Sequence, residues 1–179
     1  KHLNLDLPYF ERQIPTSENV ARVLWDKLQA QPDIGTLQRL SLYEDEDLCA
    51  NLTAEAGPEV ASVTRRYSFT AVHDGHRGHT WDLFVSVHGP IDRETGMVTD
   101  IVALDHLLKE RVLVPFDGRD LRMVLATPSV TGEYLAKAVW DRIVSAIPAG
   151  TLQPVQLVQT PDLFYEYAGR FVCRHHFLD

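Results

Sequence analysis

Apolar residues recur three and four positions apart in two separate stretches of this chain, and after each stretch a glycine gives way to strict alternation. Val20, Val23, Leu24 and Leu28 form one stripe, and Leu135, Val139, Ile143 and Ile147 form the other. That spacing predicts helices lying on a sheet. Beyond Gly35 and Gly150, Leu40, Leu42 and Glu44 share one face of a strand, as do Val155, Leu157 and Gln159. Thr16 and Thr131 stand where an N-cap hydroxyl can accept a bond from an orphan helix N–H. Glu18 and Glu133 follow in the first turn, where the helix dipole favours a carboxylate.

The two stretches are copies of one pattern. An ungapped offset of 115 residues superposes Thr16 on Thr131, Glu18 on Glu133, Ala21 on Ala136, Trp25 on Trp140 and Asp26 on Asp141. It continues through Gly35/Gly150, Thr36/Thr151, Leu37/Leu152, Gln38/Gln153 and Leu42/Leu157. A helix-then-strand unit thus occurs at residues 16–45 and again at 131–160, so the chain reads as about one and a half copies of a repeated domain. The copies differ at the strand end, where Glu44 is matched by Gln159.

Between them, residues 46–62 are acidic and then rich in Ala, Gly and Pro, which reads as an excursion or linker. A hairpin follows: Tyr67, Phe69, Ala71 and His73 share one strand face, residues 74–78 turn, and His79, Trp81, Leu83, Val85 and Val87 share a face of the returning strand. Thr99 or Asp100 can cap a helix through Ile101, Leu104, Leu108 and Val112. With a last strand around 164–168, the second copy is expected to be an α+β layer: a four-stranded antiparallel sheet with two helices on one face. The expected domains are 1–53 (the second half of a first repeat), 54–62 (linker), 63–171 (a complete repeat) and 172–179 (tail).

With 45% hydrophobic residues in 179, the chain can bury a real core. It has no apolar run long enough to span a bilayer and no signal-peptide pattern, so a cytoplasmic protein without membrane contact is expected. A net charge of −8 and the lack of a Lys/Arg stripe argue against nucleic acid. Cys49 and Cys173 lie far apart without CxxC spacing and are expected to be reduced thiols. The first residue is Lys1, and Lys1-His2-Leu3-Asn4 runs straight into structured-looking sequence, so the protein is expected to begin earlier.

Candidate chemistry concentrates in the hairpin. His73, His76 and His79 come from two adjacent strand ends and the turn between them. Three neutral imidazoles suit zinc with an open fourth position, where the metal acts as a Lewis acid on a bound hydroxyl or carbonyl. The spacing alone describes a solvated histidine-containing turn equally well.

Several segments together resemble the family of 6-pyruvoyl-tetrahydropterin and 6-carboxytetrahydropterin synthases. They are Tyr67-Ser68-Phe69-Thr70-Ala71-Val72-His73, Gly78-His79-Thr80-Trp81, Gly96-Met97-Val98-Thr99-Asp100, and Thr16-Ser17-Glu18-Asn19-Val20-Ala21 with Tyr43-Glu44. The resemblance covers most of the chain. It implies the tunnelling fold, in which tandem copies and subunits join sheet to sheet into a barrel, hence a homo-oligomer. It also implies Zn2+ on three histidines and a pterin ring held by the cap residues Thr16, Ser17 and Glu18 and by Glu44. Dihydroneopterin triphosphate is the implied substrate, and phosphate elimination with side-chain rearrangement the implied reaction.

The resemblance is uneven along the chain. His73 and His79 match the first and last metal ligands, but Arg77 stands where the family has a histidine, so His76 is the candidate for the middle ligand. The loop between the ligands holds no cysteine, whereas the family's carries a catalytic one. Asp117 keeps the place of the family's catalytic aspartate, but Gly118 replaces the histidine beside it. The first copy keeps the pterin anchors. A carboxylate at position 44 can accept two N–H bonds from a pterin's 2-amino and ring N–H groups, which the amide of Gln159 cannot reproduce. The expected function is therefore a zinc-dependent pterin-converting lyase. The alternatives are a pterin-binding or structural homologue without the chemistry, and another reaction of the same fold such as aldol cleavage of dihydroneopterin.

Overall fold

A computed structural model describes residues 7–73 and 78–170. The chain forms two compact units, one from residues up to 66 with 86–104 and 148–152, the other from 67–85, 105–147 and 153 onward. Both are antiparallel sheets with helices packed on them.

In the first unit, helix α1 (Ser17–Gln29) precedes strands β1 (Arg39–Tyr43) and β2 (Leu48–Thr53), which pair antiparallel with Leu40 opposite Leu52 and Tyr43 opposite Cys49. β2 pairs in turn with β3 (Val60–Ala71), and a short β5 (Thr151–Leu152) lies on β4 (His79–Pro90). Leucine, alanine and valine on alternate positions of β2 and β3 are buried beneath the helix: Ala50, Leu52, Ala61 and Val63. The opposite face is polar, with Ser62 Oγ 3.0 Å from His88 Nδ1 and the Thr64 and Ser86 hydroxyls 2.7 Å apart. Half-buried strands of this kind give the alternation seen in the sequence.

The structure departs from expectation in this unit. The stretch 46–62 is not a linker throughout, because Leu48–Thr53 is a paired strand and β3 begins at Val60, leaving turns at 46–47 and 54–59. Asp45 Oδ1 accepts from the backbone N–H groups of Asp47 and Leu48, which closes the β1–β2 turn. The buried face of α1 is not the Val20–Leu28 stripe either. It runs through Glu18, Ala21 and Trp25, while Leu24 is exposed. A buried carboxylate at the head of that face makes it look polar in the sequence.

In the second unit, the second half of β3, the first half of β4, β6 (Val155–Thr160) and β7 (Leu163–Tyr167) form the expected four-stranded sheet. Asp100 Oδ1 caps α2 (Ile101–Leu108), which continues through a wide turn at Lys109–Leu113 to Phe116. Pro115 explains the wide turn, since it has no N–H to offer the preceding turn of helix. The Arg111 carbonyl instead accepts from the Arg142 guanidinium at 3.1 Å. Helix α3 (Gly132–Ile143) packs on β6 and β7. Leu108, Val112, Phe116, Leu135, Val139 and Ile143 are fully buried with Trp81, Leu83 and Leu157.

The offset of 115 that aligns the sequence also maps one hairpin onto the other. Leu40–Leu52, Ser41–Asn51, Leu42–Ala50 and Tyr43–Cys49 in β1–β2 become Val155–Tyr167, Gln156–Glu166, Leu157–Tyr165 and Val158–Phe164 in β6–β7. The cap recurs as well, for Thr16 Oγ1 accepts from Asn19 N at 3.2 Å and Thr131 Oγ1 from Tyr134 N at 3.3 Å. Gly35 and Gly150 both take left-handed φ values, 69° and 79°.

Candidate active site

The cap of α1 and the end of β1 meet at a cavity of about 350 Å³, lined by Thr16, Ser17, Glu18 and Glu44 on its polar side. Ile14, Leu48, Val63, Met97 and Ile101 supply the apolar side. The size falls at the small end of the roughly 300–1,000 Å³ common for ligand clefts, and the mix of a mostly apolar wall with a few convergent polar groups is usual for them. All four residues expected at a substrate site in the first copy are therefore gathered on one cavity.

Their roles in the structure differ. Ser17 Oγ donates to Glu44 Oε2 at 2.6 Å, which orients an exposed carboxylate at the cavity edge. Glu18 is 4% exposed, and its Oε1 accepts from the backbone N–H of Val98 at 3.0 Å. Burial pushes the Glu18 carboxyl above the ordinary carboxylate range, and the charge of Glu44 adds to the effect, while the Val98 N–H works against it. Thr16 Oγ1, besides capping the helix, donates to the Gly96 carbonyl at 2.5 Å. Asn19 Nδ2 donates to the Ile14 carbonyl. Gly96 has φ +74°, and a Cβ there would overlap the Asn19 amide. The cap segment 16–19 is thus latched to the 96–98 turn, and that turn carries Met97 into the cavity wall.

Sequence reasoning missed the apolar wall. Met97 lies in a motif that carried the resemblance, and that motif was the one available signal. Leu48, Val63 and Ile101 belong to separate elements, and nothing in the sequence brings them together.

The hairpin histidines lie in the second unit. His73 is buried, and its ring centre is 6.2 Å from that of His79, with the Trp81 ring 5.2 and 5.3 Å from the two. His79 Nε2 is 2.7 Å from the Gln159 carbonyl oxygen. A carbonyl only accepts, so Nε2 carries the proton and Nδ1 is left with a free lone pair. A histidine that binds metal is usually braced by such a bond from its other nitrogen. Two imidazoles on one tetrahedral zinc, with Zn–N near 2.0–2.1 Å, hold their ring centres roughly 5 Å apart, so the pair is close to that spacing. The third expected ligand, His76, lies outside the described residues. Among the described residues no group of three or more His, Cys, Asp or Glu side chains could hold a metal. His73 and His79 are thus the two expected ligands that the structure describes, and they lie near each other.

Asp117 is exposed, and its Oδ1 accepts from the backbone N–H of Thr70 at 2.8 Å. Beside it Gly118 has φ +69°. Here the carboxylate ties the end of α2 to β3. Cys49 is a buried free thiol, and Cys173 lies outside the described residues. Among the described residues no helix is long and apolar enough to cross a membrane.

A family model described as 6-pyruvoyl tetrahydropterin synthase matches residues 1–55 and 63–170. The 6-pyruvoyl tetrahydrobiopterin synthases of Pongo abelii and Homo sapiens are each 31% identical over 134 residues, covering 61% of this chain and 92% of the relative. The Drosophila melanogaster protein of the same name is 30% identical over 138 residues, covering 63% of this chain and 82% of the relative. A solved structure of Caenorhabditis elegans 6-pyruvoyl tetrahydropterin synthase matches with a TM-score of 0.57 and 24% identity, covering 62% of this chain and 96% of that one.

Proposed function

The chain belongs to the 6-pyruvoyl tetrahydropterin synthase family, and from that premise we propose that it converts dihydroneopterin triphosphate by phosphate elimination and side-chain rearrangement, holding the pterin ring in the cavity beneath the α1 cap. The observation that carries this reading is the Ser17–Glu44 pair at the rim of that cavity. A pterin presents a 2-amino group and a ring N–H side by side, and an ionised carboxylate accepts both at once. With Ser17 donating to one carboxylate oxygen, Glu44 is held in one rotamer before the ligand arrives, which lowers the ordering cost of binding. Ile14, Leu48 and Met97 cover the flat faces of the ring, and Thr16 and Glu18 keep that wall in place.

His73, His76 and His79 would hold zinc, which when bound supplies Lewis-acid polarisation of a substrate hydroxyl or carbonyl. The Gln159 carbonyl fixes the His79 tautomer for that role. The two sheet edges, β1 and β7, each pair with one neighbour among the described strands, which supports assembly into a homo-oligomer by edge pairing.

One observation favours a second reading, a pterin-binding homologue without the chemistry. Asp117 is engaged with the Thr70 backbone, and Gly118 offers no side chain to relay a proton. Incubation of the purified full chain with zinc and dihydroneopterin triphosphate, followed by mass spectrometry, separates the two. Release of triphosphate with a rearranged pterin is expected. Tight pterin binding without any product would establish the second reading.

A further inference from the structure

The residues around the cavity beneath α1 have counterparts in the second copy, and a tyrosine stands among them. Under the 115-residue offset, Thr16, Ser17, Glu18, Glu44 and Ala50 correspond to Thr131, Gly132, Glu133, Gln159 and Tyr165. Thr131 keeps its capping bond, so the helix starts in the same way. Glu133 keeps the carboxylate of Glu18, while the other three positions change together. Tyr165 lies on the helix-facing side of β7, and its ring rests against the first turn of α3 so closely that a Cβ at Gly132 would overlap it. Its hydroxyl donates to Gln159 Oε1 at 3.1 Å. Behind it the Trp81 ring centre is 6.2 Å away. Partial burial pushes the Tyr165 phenol upward, with the Glu133 carboxylate adding to the effect.

Each difference from the first copy serves the ring. Loss of the serine side chain at 132 makes room for it, the neutral amide at 159 accepts its hydroxyl, and alanine becomes tyrosine at 165. A serine at 132 would oppose the arrangement by steric overlap, since even a Cβ there meets the ring.

We propose that Tyr165 is a built-in occupant of the second ligand position, so that each chain takes one pterin, in the cavity of the first copy; this rests on the pterin reading of that cavity. An aromatic ring with one polar edge fills the place of an aromatic heterocycle and satisfies the strand-end side chain.

Calorimetric titration of the full chain with neopterin, which lacks the phosphates, tests the proposal through stoichiometry. One equivalent is expected for the wild-type chain, one at affinity lowered about 10- to 100-fold for Glu44→Gln, and one at restored affinity when Gly132→Ser, Gln159→Glu and Tyr165→Ala are added to Glu44→Gln. Two equivalents in the wild type, or one at undiminished affinity in Glu44→Gln, would overturn the occupant while leaving pterin binding intact. No binding to the wild type would overturn the pterin reading together with it. The comparison of wild type with Glu44→Gln decides the question even where the quadruple variant fails to fold. A folded quadruple variant, checked by circular dichroism, that binds no more tightly than Glu44→Gln would show that Tyr165 is not what blocks the second position.

Discussion

Ser17 Oγ sits 2.6 Å from Glu44 Oε2, joining the first turn of α1 to the residue that ends β1. The two residues are 27 positions apart, and the bond couples the geometry of a helix cap to that of a ligand anchor. Glu44→Gln is expected to weaken neopterin binding by about 10- to 100-fold, because a hydrogen bond to a charged group contributes roughly 1.5–3 kcal/mol and the amide presents an N–H to another N–H. Ser17→Ala removes only the orienting bond and is expected to cost about 1 kcal/mol, near fivefold. Fluorescence titration of both variants checks the order. Equal losses, or a larger loss for Ser17→Ala, would mean that Glu44 does not contact the ring.

Glu18 is expected to work against stability when ionised. In the unfolded chain it titrates near 4.5, whereas burial raises its value in the fold. Between those two values the folded state binds more protons than the unfolded state, so stability falls as pH rises above about 4.5 and levels off once the folded group has ionised. Glu18→Gln keeps an oxygen for the Val98 N–H and removes the charge. Its stability relative to wild type is expected to rise across that window and then stay constant, as read from urea midpoints between about pH 4 and 8. A difference that does not change with pH would show that Glu18 is not desolvated. Glu18→Ala, by contrast, leaves the Val98 N–H buried and unpaired, at a cost of roughly 1–3 kcal/mol.

The two caps give an internal comparison. Thr131 accepts one helix N–H, whereas Thr16 accepts one and also donates to the Gly96 carbonyl. Thr131→Ala is expected to cost about 1 kcal/mol, an ordinary N-cap loss. Thr16→Ala is expected to cost about 1 kcal/mol more, since the 96–98 turn is released as well. Thr16→Ser keeps both bonds and is expected to restore most of the loss. Denaturant midpoints of the three variants measure this, and equal effects of the two alanine variants would refute the latch.

What the sequence made legible follows from local physics. Caps, strand alternation and the repeat are written in short spacings, so α1, α3, β1 and the β3–β4 hairpin could be anticipated, whereas the gathering of Ser17 with Glu44 was legible only through the family resemblance. The buried face of α1 could not, because a buried glutamate and an exposed Leu24 invert the usual sign of each residue. Met97, Leu48 and Ile101 form one cavity wall only after distant elements pack together. Tyr165 was hidden for another reason: a tyrosine on a strand ordinarily signals core, and its ligand-like position shows only beside Gly132 and Gln159.

The histidine pair supports a prediction about metal that does not depend on turnover. Zinc near one equivalent per chain is expected after loading and desalting, measured by elemental analysis. His73→Ala and His79→Ala should each remove it, because two remaining imidazoles hold zinc far less well than three. Gln159→Ala should leave the zinc in place, because His79 Nε2 is braced by the backbone oxygen of that residue and not by its amide. The same variant does deprive the Tyr165 hydroxyl of its partner, so a modest loss of stability, about 1 kcal/mol, is expected without loss of metal. Loss of zinc in Gln159→Ala with retention in His79→Ala would reverse the assignment. Retention in all three variants would place the metal elsewhere.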